Sequence, residues 1–186
     1  MTEKSGPAVD LPKEQRRIVI AALCSAVVCG VTLWLAIRYL PAQIAFPTDL
    51  ANRLSFTLRA DIFVALWVML AVRMVSKVRF FSAADSAGSA YTKPTLRLAV
   101  RSAFLQNSLE QAFIAIVAHL ALATVEHAAA LAYIVGAVFL FSLGRFTFWL
   151  GYPYGAGGRA FGIVTTALPT LGAYGWVLFE LFESVV

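Results

Sequence analysis

An unbroken run of twenty uncharged residues, IVIAALCSAVVCGVTLWLAI at positions 18–37, limits what this chain can fold into. About 20 apolar residues in an α-helix cross the roughly 30 Å of hydrocarbon in a bilayer. A secretory signal has a shorter apolar region and a small-residue cleavage site. We therefore interpret the run as a retained transmembrane helix at 18–40, preceded by a polar, flexible tail at 1–17.

More apolar segments follow than one small water-soluble core can bury. The chain is 60% hydrophobic and 13% charged, whereas soluble domains carry about 25% charged residues. We predict further spans near 54–79, 94–125, 129–152 and 160–179, which makes an all-α integral membrane protein with five crossings. The connections are predicted to be a loop at 38–58, a polar linker at 82–94 and turns at 126–128 and 151–158. Pro169 predicts a kink in the last span.

Basic residues predict the orientation, because cytoplasmic loops of membrane proteins carry an excess of Lys and Arg. With five crossings, the tail, the region 73–101 and the turn at 151–158 share one side of the membrane. That side holds twelve of the fifteen basic residues, and the other side holds Arg38, Arg53 and Arg59. We expect a multi-pass protein of a bacterial inner membrane, with a cytoplasmic N-terminus and tail.

Polar residues inside the spans are candidate functional residues, because ionisable groups in membrane helices usually face a bundle interior or a wet cavity. Those that the topology brings to the cytoplasmic ends are Arg73, Arg101, Asn107, Glu110, Arg145, Tyr152 and Arg159. Arginine forks suit carboxylates, so a small anionic ligand with an amino group would satisfy the set, with its ammonium on Glu110. The alternative is an internal salt-bridge network that only holds the helices together.

The remaining polar residues favour structural interpretations. His119, deep in the third predicted span, is expected to be a core histidine with one hydrogen bond, and His127 beside Glu126 is expected to be solvated. Cys24 and Cys29 are expected to be small packing residues. The sequence has no metal-ligand spacing, no Ser-His-Asp set and no phosphate-binding loop. We expect neither a metal nor a nucleic-acid partner.

Two stretches resemble motifs of the MAPEG family, the membrane-associated proteins in eicosanoid and glutathione metabolism. RSAFLQNSLEQ at 101–111 resembles the family's N-x-x-E motif preceded by arginine. GRFTFWLGYPYGAGGR at 144–159 resembles its R-x-x-[H/Y]-x-x-[G/A]-Y motif followed by a further arginine. The resemblance covers roughly 55–186. It implies a four-helix transmembrane bundle that assembles as a homotrimer, with the helix at 18–40 as an addition.

The resemblance also implies a ligand, glutathione, bound as co-substrate between neighbouring subunits near the cytoplasmic face. Asn107 and Glu110 would hold its γ-glutamyl end, and Tyr152 would hydrogen-bond its peptide. Arg73 and Arg145 would bind its carboxylates or brace the site. Arg159 would be the catalytic residue facing the sulfur, because nearby positive charge lowers the pKa of a thiol and populates the nucleophilic thiolate. A lipophilic small-molecule substrate would enter from the membrane lipids.

Two positions depart from the family pattern. Ala103 stands where the family usually has an arginine, and Arg101, two residues away, is the nearest substitute that could bind the ligand. Phe148 occupies the His or Tyr position and cannot donate a hydrogen bond. The main expectation is a glutathione-dependent transferase or peroxidase acting on a lipophilic substrate. The alternatives are a non-catalytic lipid- or small-molecule-binding member and a protein of the same fold with another small-molecule role.

Overall fold

The computed structural model describes residues 10–88 and 91–183, and its regular elements are all helical. The α-helices are α1 (Leu11–Gln43), α2 (Leu50–Ala60), α3 (Ile62–Phe80), α4 (Leu96–Ala123), α5 (Ala128–Gly151) and α6 (Gly155–Glu183). A 3₁₀ turn, Tyr152–Tyr154, joins α5 to α6. The described ranges contain no strand, which agrees with the all-α prediction.

Two segments predicted to be irregular contain helix, although residues 1–9 of the predicted tail lie outside the described residues. α1 begins at Leu11, inside the predicted tail, because the Asp10 side chain accepts a hydrogen bond from the Lys13 N–H and caps the first turn. The predicted loop at 38–58 contains the end of α1 and most of α2, which Asp49 caps through the Asn52 N–H. Capping oxygens satisfy backbone donors that a helix start leaves free. Only residues 44–49 separate these two helices.

α2 and α3 together form one rod with a slight interruption at Asp61. The Asp61 N–H donates to the carbonyl of Thr57 at 2.9 Å, and the Asp61 carbonyl accepts from the Ala65 N–H at 3.0 Å. The backbone hydrogen bonds therefore continue across the junction. The rod covers the second predicted span and begins four residues before it.

α5 lies at the centre of the bundle and contacts each of the other five α-helices. It is also the most completely buried helix, with fourteen buried residues along its 24 positions. α1 packs against α5 and α6 and touches none of the other α-helices. The N-terminal helix α1 therefore packs against one side of the bundle formed by the other helices.

Glycines bring α5 and α6 into backbone contact. A Cβ placed on Gly162 would lie 2.5 Å from the carbonyl oxygen of Gly144 and 2.7 Å from the Cα of Phe148. A Cβ on Gly158 would lie 2.6 Å from the carbonyl oxygen of Gly151. Small residues allow this close approach between membrane helices. The connecting turn is correspondingly tight, so most of the predicted turn at 151–158 belongs to helical structure.

α6 continues as one α-helix through Pro169, where the sequence predicts a kink. Proline cannot donate a backbone hydrogen bond to the carbonyl four residues earlier, which is that of Thr165. The Cys29 thiol of α1 donates a hydrogen bond to this carbonyl, with its Sγ 3.8 Å from the oxygen. The Ser25 and Thr165 hydroxyls also share a hydrogen bond of 2.7 Å. α1 thus supplies a partner for the group that Pro169 leaves free. Cys29 is a buried packing residue, as predicted, whereas Cys24 is exposed.

Among the described residues, two helical stretches are long and apolar enough to cross a membrane, Leu11–Gln43 and Ala128–Glu183. Each contains an 18-residue window of high mean hydropathy, 2.5 in the first stretch and 1.8 in the second. The second stretch contains α5, the 3₁₀ turn and α6. Large apolar side chains also cover the outer face of α3, among them Phe63 and Met69. A hydrocarbon environment would accommodate this surface without the cost of exposing it to water.

Candidate functional site

The buried guanidinium of Arg145 lies at the centre of the candidate site. Its Nη1 donates to Oδ1 of Asn107 on α4 at 2.7 Å. Its Nη2 and Nε donate to Oγ1 of Thr166 on α6 at 2.8 and 3.2 Å. Arg145 is 0% exposed and forms no ion pair with a described carboxylate. It therefore ties three helices together while keeping a positive charge that no described neighbour cancels.

An aromatic cluster lies against Arg145 on the side of the 3₁₀ turn. The buried Phe148 ring stacks on Phe104, with centroids 5.8 Å apart, and packs edge-on against Tyr152 at 5.6 Å. The Arg145 Cζ lies 4.9 Å from the Phe148 centroid, and the Arg159 Cζ lies 4.6 Å from the Tyr152 centroid. These are cation–π distances. Phe148 thus fills its motif position as a packing residue among Phe104, Tyr152 and Arg145.

A cleft of about 340 Å³ opens beside this cluster, between α4 and the end of α5. Its polar lining comes from Arg101 and Tyr152. Its apolar lining comes from Val100, Phe104 and Trp149, with Pro153 closing one edge. A cationic group next to an apolar wall suits a ligand that carries an anionic end and an apolar end.

Asn107 and Glu110 of the predicted motif face different surroundings. Asn107 points into the bundle and contacts Arg145, whereas Glu110 is exposed and accepts a hydrogen bond from Gln106 at 3.1 Å. Residues three positions apart on an α-helix point in directions that differ by about 60°. This difference brings Glu110 to the outer surface while Asn107 faces the bundle. The two ion pairs among described residues, Arg17–Glu14 and His119–Asp61, do not include Glu110. The alternative of a structural salt bridge between Glu110 and an arginine therefore gains no support.

The seven predicted site residues are brought together only in part within one chain. Asn107 contacts Arg145, and Arg159 contacts Tyr152, which shares the cleft with Arg101. Arg73, on α3, is exposed and makes no hydrogen bond or ion pair with a described residue. Arg73 and Glu110 are therefore surface groups of the single chain, and the predicted convergence of all seven is not seen in it.

The comparison with known families decides how these residues are classified. The model of the MAPEG family matches residues 54–179, which is most of the 186-residue chain. The chain belongs to the MAPEG family. No curated protein and no solved structure matches it.

Membership of the MAPEG family, together with the apolar helices, makes this an integral membrane protein. It is also consistent with a role in glutathione-related or eicosanoid metabolism. The match includes both motif stretches and each of the seven predicted site residues. It begins after α1, so the helix that packs on α5 and α6 lies outside the matched region.

α1 of this MAPEG protein reaches the edge of the candidate site, which the sequence interpretation did not anticipate. The Glu14 Oε1 accepts the N–H of Gly157 at 2.6 Å, and the Glu14 Oε2 pairs with Arg17 at 3.1 Å. Gly157 lies two residues before Arg159, in the first turn of α6. The three-residue spacing of Glu14 and Arg17 is the only sequence sign of this helical pair.

The opposite end of the MAPEG bundle is held by a second set of polar residues. Arg53 of α2 is buried and donates to the carbonyls of Ala123 at 2.9 Å and His127 at 3.3 Å, and also to that of Val125. Cationic side chains satisfy the carbonyls that a helix end leaves free. The interpretation of Arg53 as a loop residue was wrong, because the Asp49 cap starts α2 before it.

His119 is buried, and its Nδ1 lies 2.7 Å from Oδ1 of Asp61. The prediction of a core histidine with one hydrogen bond is confirmed. His127, predicted to be only solvated, accepts the N–H of Ala129 and caps α5. Thr166 was also missed as a partner of Arg145, since a hydroxyl in an apolar helix does not reveal its partner.

Proposed function

We propose that this protein is a glutathione-dependent transferase or peroxidase that acts on a lipophilic substrate in the membrane. The observation that carries the proposal is the cleft beside Arg101 and Tyr152, which combines a cationic group with an apolar wall. Arg145 lies behind it with an uncancelled charge and holds Asn107 in place. Family membership is consistent with glutathione-related chemistry.

The proposed chemistry begins with the positive charge of Arg159. A free thiol has a pKa of about 8.5, and an adjacent cation lowers it, so the thiolate is populated at neutral pH. The glutathione thiolate attacks an electrophilic carbon of the lipophilic substrate and forms the carbon–sulfur bond. The electron pair of the broken substrate bond leaves with the departing group or takes up a proton. Glutathione carboxylates pair with Arg101 and Arg73, and its ammonium pairs with Glu110.

We further propose that the protein works as a homotrimer. Arg73 and Glu110 are exposed on the single chain, and in this proposal a neighbouring subunit covers them and completes the site with Arg101. The proposal includes five membrane crossings, with the α4 N-terminal end of the bundle facing the cytoplasm of a bacterium. Cytoplasmic glutathione would then reach the site directly, and the lipophilic substrate would enter from the bilayer.

Calorimetry with glutathione on the detergent-purified protein tests the proposal. Binding is expected for the wild type, and the bound thiolate should be visible as far-ultraviolet absorbance in difference spectra at neutral pH. Arg159→Leu should bind glutathione but lose the thiolate absorbance. Arg38→Leu is the matched control, because Arg38 is an exposed arginine near the far end of α1. Absence of glutathione binding in the wild type would refute the proposal.

Glu110→Gln gives a second test that separates binding from stability. Glu110 is exposed, and Gln106 is its only hydrogen-bond partner among the described residues. The change therefore leaves no buried charge unpaired, which is the situation that costs about 3–5 kcal/mol. The melting temperature should stay within about 1–2 °C of the wild type. The affinity for glutathione should fall about tenfold, as for loss of one charge-assisted contact. A large fall in melting temperature with unchanged affinity would assign Glu110 a structural role.

One observation favours a second candidate function, a non-catalytic lipid- or small-molecule-binding protein. Phe148 stands at the polar position of the family motif, and its ring is buried between Phe104 and Arg145. The site consequently has one hydrogen-bond donor fewer than the motif implies. Binding of a hydrophobic probe in the cleft by a protein that does not bind glutathione would favour this function.

A further inference from the structure

A second cavity lies where the linker after α3 meets the start of α4. It has a volume of about 610 Å³, larger than the cleft beside Arg101. Lys77 from α3 and Arg97 from α4 line it, together with Val78 and Phe81. We name this cavity the linker pocket. Its lining shares no residue with the cleft of the candidate site.

Asp85 holds the wall of the linker pocket in a defined shape. Its carboxylate is 1% exposed and accepts three hydrogen bonds, from the Thr95 N–H at 2.9 Å, the Thr95 hydroxyl at 2.7 Å and the Ser82 hydroxyl at 2.8 Å. The Thr95 N–H is the main cause that lowers the pKa of Asp85, against the opposing effect of burial. The carboxylate is therefore ionised at neutral pH and is occupied by internal donors.

The two cations of the linker pocket are available to a ligand. Lys77 and Arg97 are exposed and form no ion pair with any described residue. Arg79 also lies close enough to Asp85 to lower its pKa. Lys77 and Arg97 against the one carboxylate of Asp85 leave the lining of the pocket with a net positive charge. An arginine and a lysine on separate helices form a pair of donors suited to a phosphate.

Exposed apolar side chains lie on the chain segments that form the charged pocket, and one of them, Phe81, lines it. Phe80, Phe81, Tyr91 and Leu96 are each between 75% and 85% exposed. The Phe80 and Phe81 rings pack edge-on, with centroids 4.9 Å apart. Aromatic residues are enriched at the level of the lipid headgroups. A free anion in water would gain nothing from these side chains, whereas an amphiphile would gain from both sets of contacts.

We propose that the linker pocket binds the phosphate of an anionic membrane phospholipid. Lys77 and Arg97 donate to the phosphate, and Phe80 and Phe81 pack against the upper part of the acyl chains. Basic pockets at the ends of membrane helices bind anionic headgroups in this manner. Bound lipid would join α3 to α4 across the linker and so stabilise the end of the bundle that carries the candidate site.

Native mass spectrometry in mild detergent tests the proposal by measuring the first lipid adduct during titration with phosphatidylglycerol. Phosphatidylcholine, which carries the same phosphate without net charge, is the lipid control. The wild type should bind phosphatidylglycerol at least tenfold more tightly than phosphatidylcholine. Lys77→Gln and Arg97→Gln should each lower the affinity for phosphatidylglycerol about fivefold. Lys93→Gln, which removes an exposed linker charge outside the lining, should change nothing.

Other results would overturn the proposal. Equal affinity for the two lipids would show that the pocket does not select anionic headgroups. Competition by inorganic phosphate at the same concentration as the lipid would show that the ligand is a free anion. If Lys93→Gln lowered the affinity for phosphatidylglycerol as much as Lys77→Gln does, the effect would come from overall charge and not from the pocket. Lys77→Arg, which keeps the charge, should retain binding and so excludes loss of folding as the cause of a negative result.

Discussion

The backbone contact between α5 and α6 makes Gly162→Ala the most informative single substitution. The added Cβ would meet the carbonyl oxygen of Gly144 at 2.5 Å and the Cα of Phe148 at 2.7 Å. Both are backbone atoms of the central helix, which cannot rotate away as a flexible side chain can. The two helices must therefore separate, and Arg145, which bonds across them to Thr166, must move with α5.

The loss of folding stability expected for Gly162→Ala follows from two opposing effects. Overpacking a well-packed interior costs typically 1–3 kcal/mol, and contact with backbone on two sides favours the upper value, about 3 kcal/mol. Alanine in place of glycine gains about 1 kcal/mol of helix propensity. The net loss is therefore about 2 kcal/mol. At about 2–4 °C per kcal/mol for a chain of this size, the melting temperature should fall by about 4–8 °C.

Gly175→Ala is the matched control on the same helix. A Cβ there meets no atom within 4 Å, so only the helix propensity changes. Its melting temperature should stay level or rise by about 2–4 °C. Thermal unfolding in mild detergent, followed by far-ultraviolet circular dichroism, measures both variants. If Gly162→Ala melts at or above the wild type, the reasoning on close backbone contact is refuted.

Three further predictions concern the linker, the topology and the assembly. Asp85→Asn should increase the rate of chymotrypsin cleavage at the exposed Tyr91, because the single amide oxygen cannot replace both carboxylate oxygens, which accept from the Thr95 N–H and from two hydroxyls. The pKa of Asp85 is depressed in the folded protein. The ionised carboxylate therefore stabilises the fold at pH values above its unfolded pKa of about 3.9, and this contribution is lost as the pH falls through the folded pKa. Acid melting curves should show this loss in the wild type and not in Asp85→Asn. Single cysteines at Ser86 and Ala156, in a chain without Cys24 and Cys29, should both resist an impermeant reagent applied to intact cells; labelling of either contradicts the proposed topology. Native mass spectrometry should show a dominant trimer, and a folded monomer alone would exclude a site shared between subunits.

Local patterns along the chain were enough to predict the helices and the family. Long uncharged runs permit few structures other than membrane helices, because backbone groups in hydrocarbon must be satisfied within the segment. The Asn107 and Arg145 motifs indicated the MAPEG family, which the family model confirms. The caps at Asp10 and Asp49 are also local features, so the starts of α1 and α2 are encoded in the nearby sequence.

The partners of the polar residues depended on the tertiary structure. Nothing in the sequence indicates that Thr166 accepts from Arg145, that Glu14 accepts from Gly157, or that α1 packs on α5 and α6. Such contacts join residues far apart in the chain, and their geometry depends on how closely the helices approach. The glycines of α5 and α6 set that approach, so whether Arg145 is buried while Glu110 stays on the surface is decided only when the helices pack.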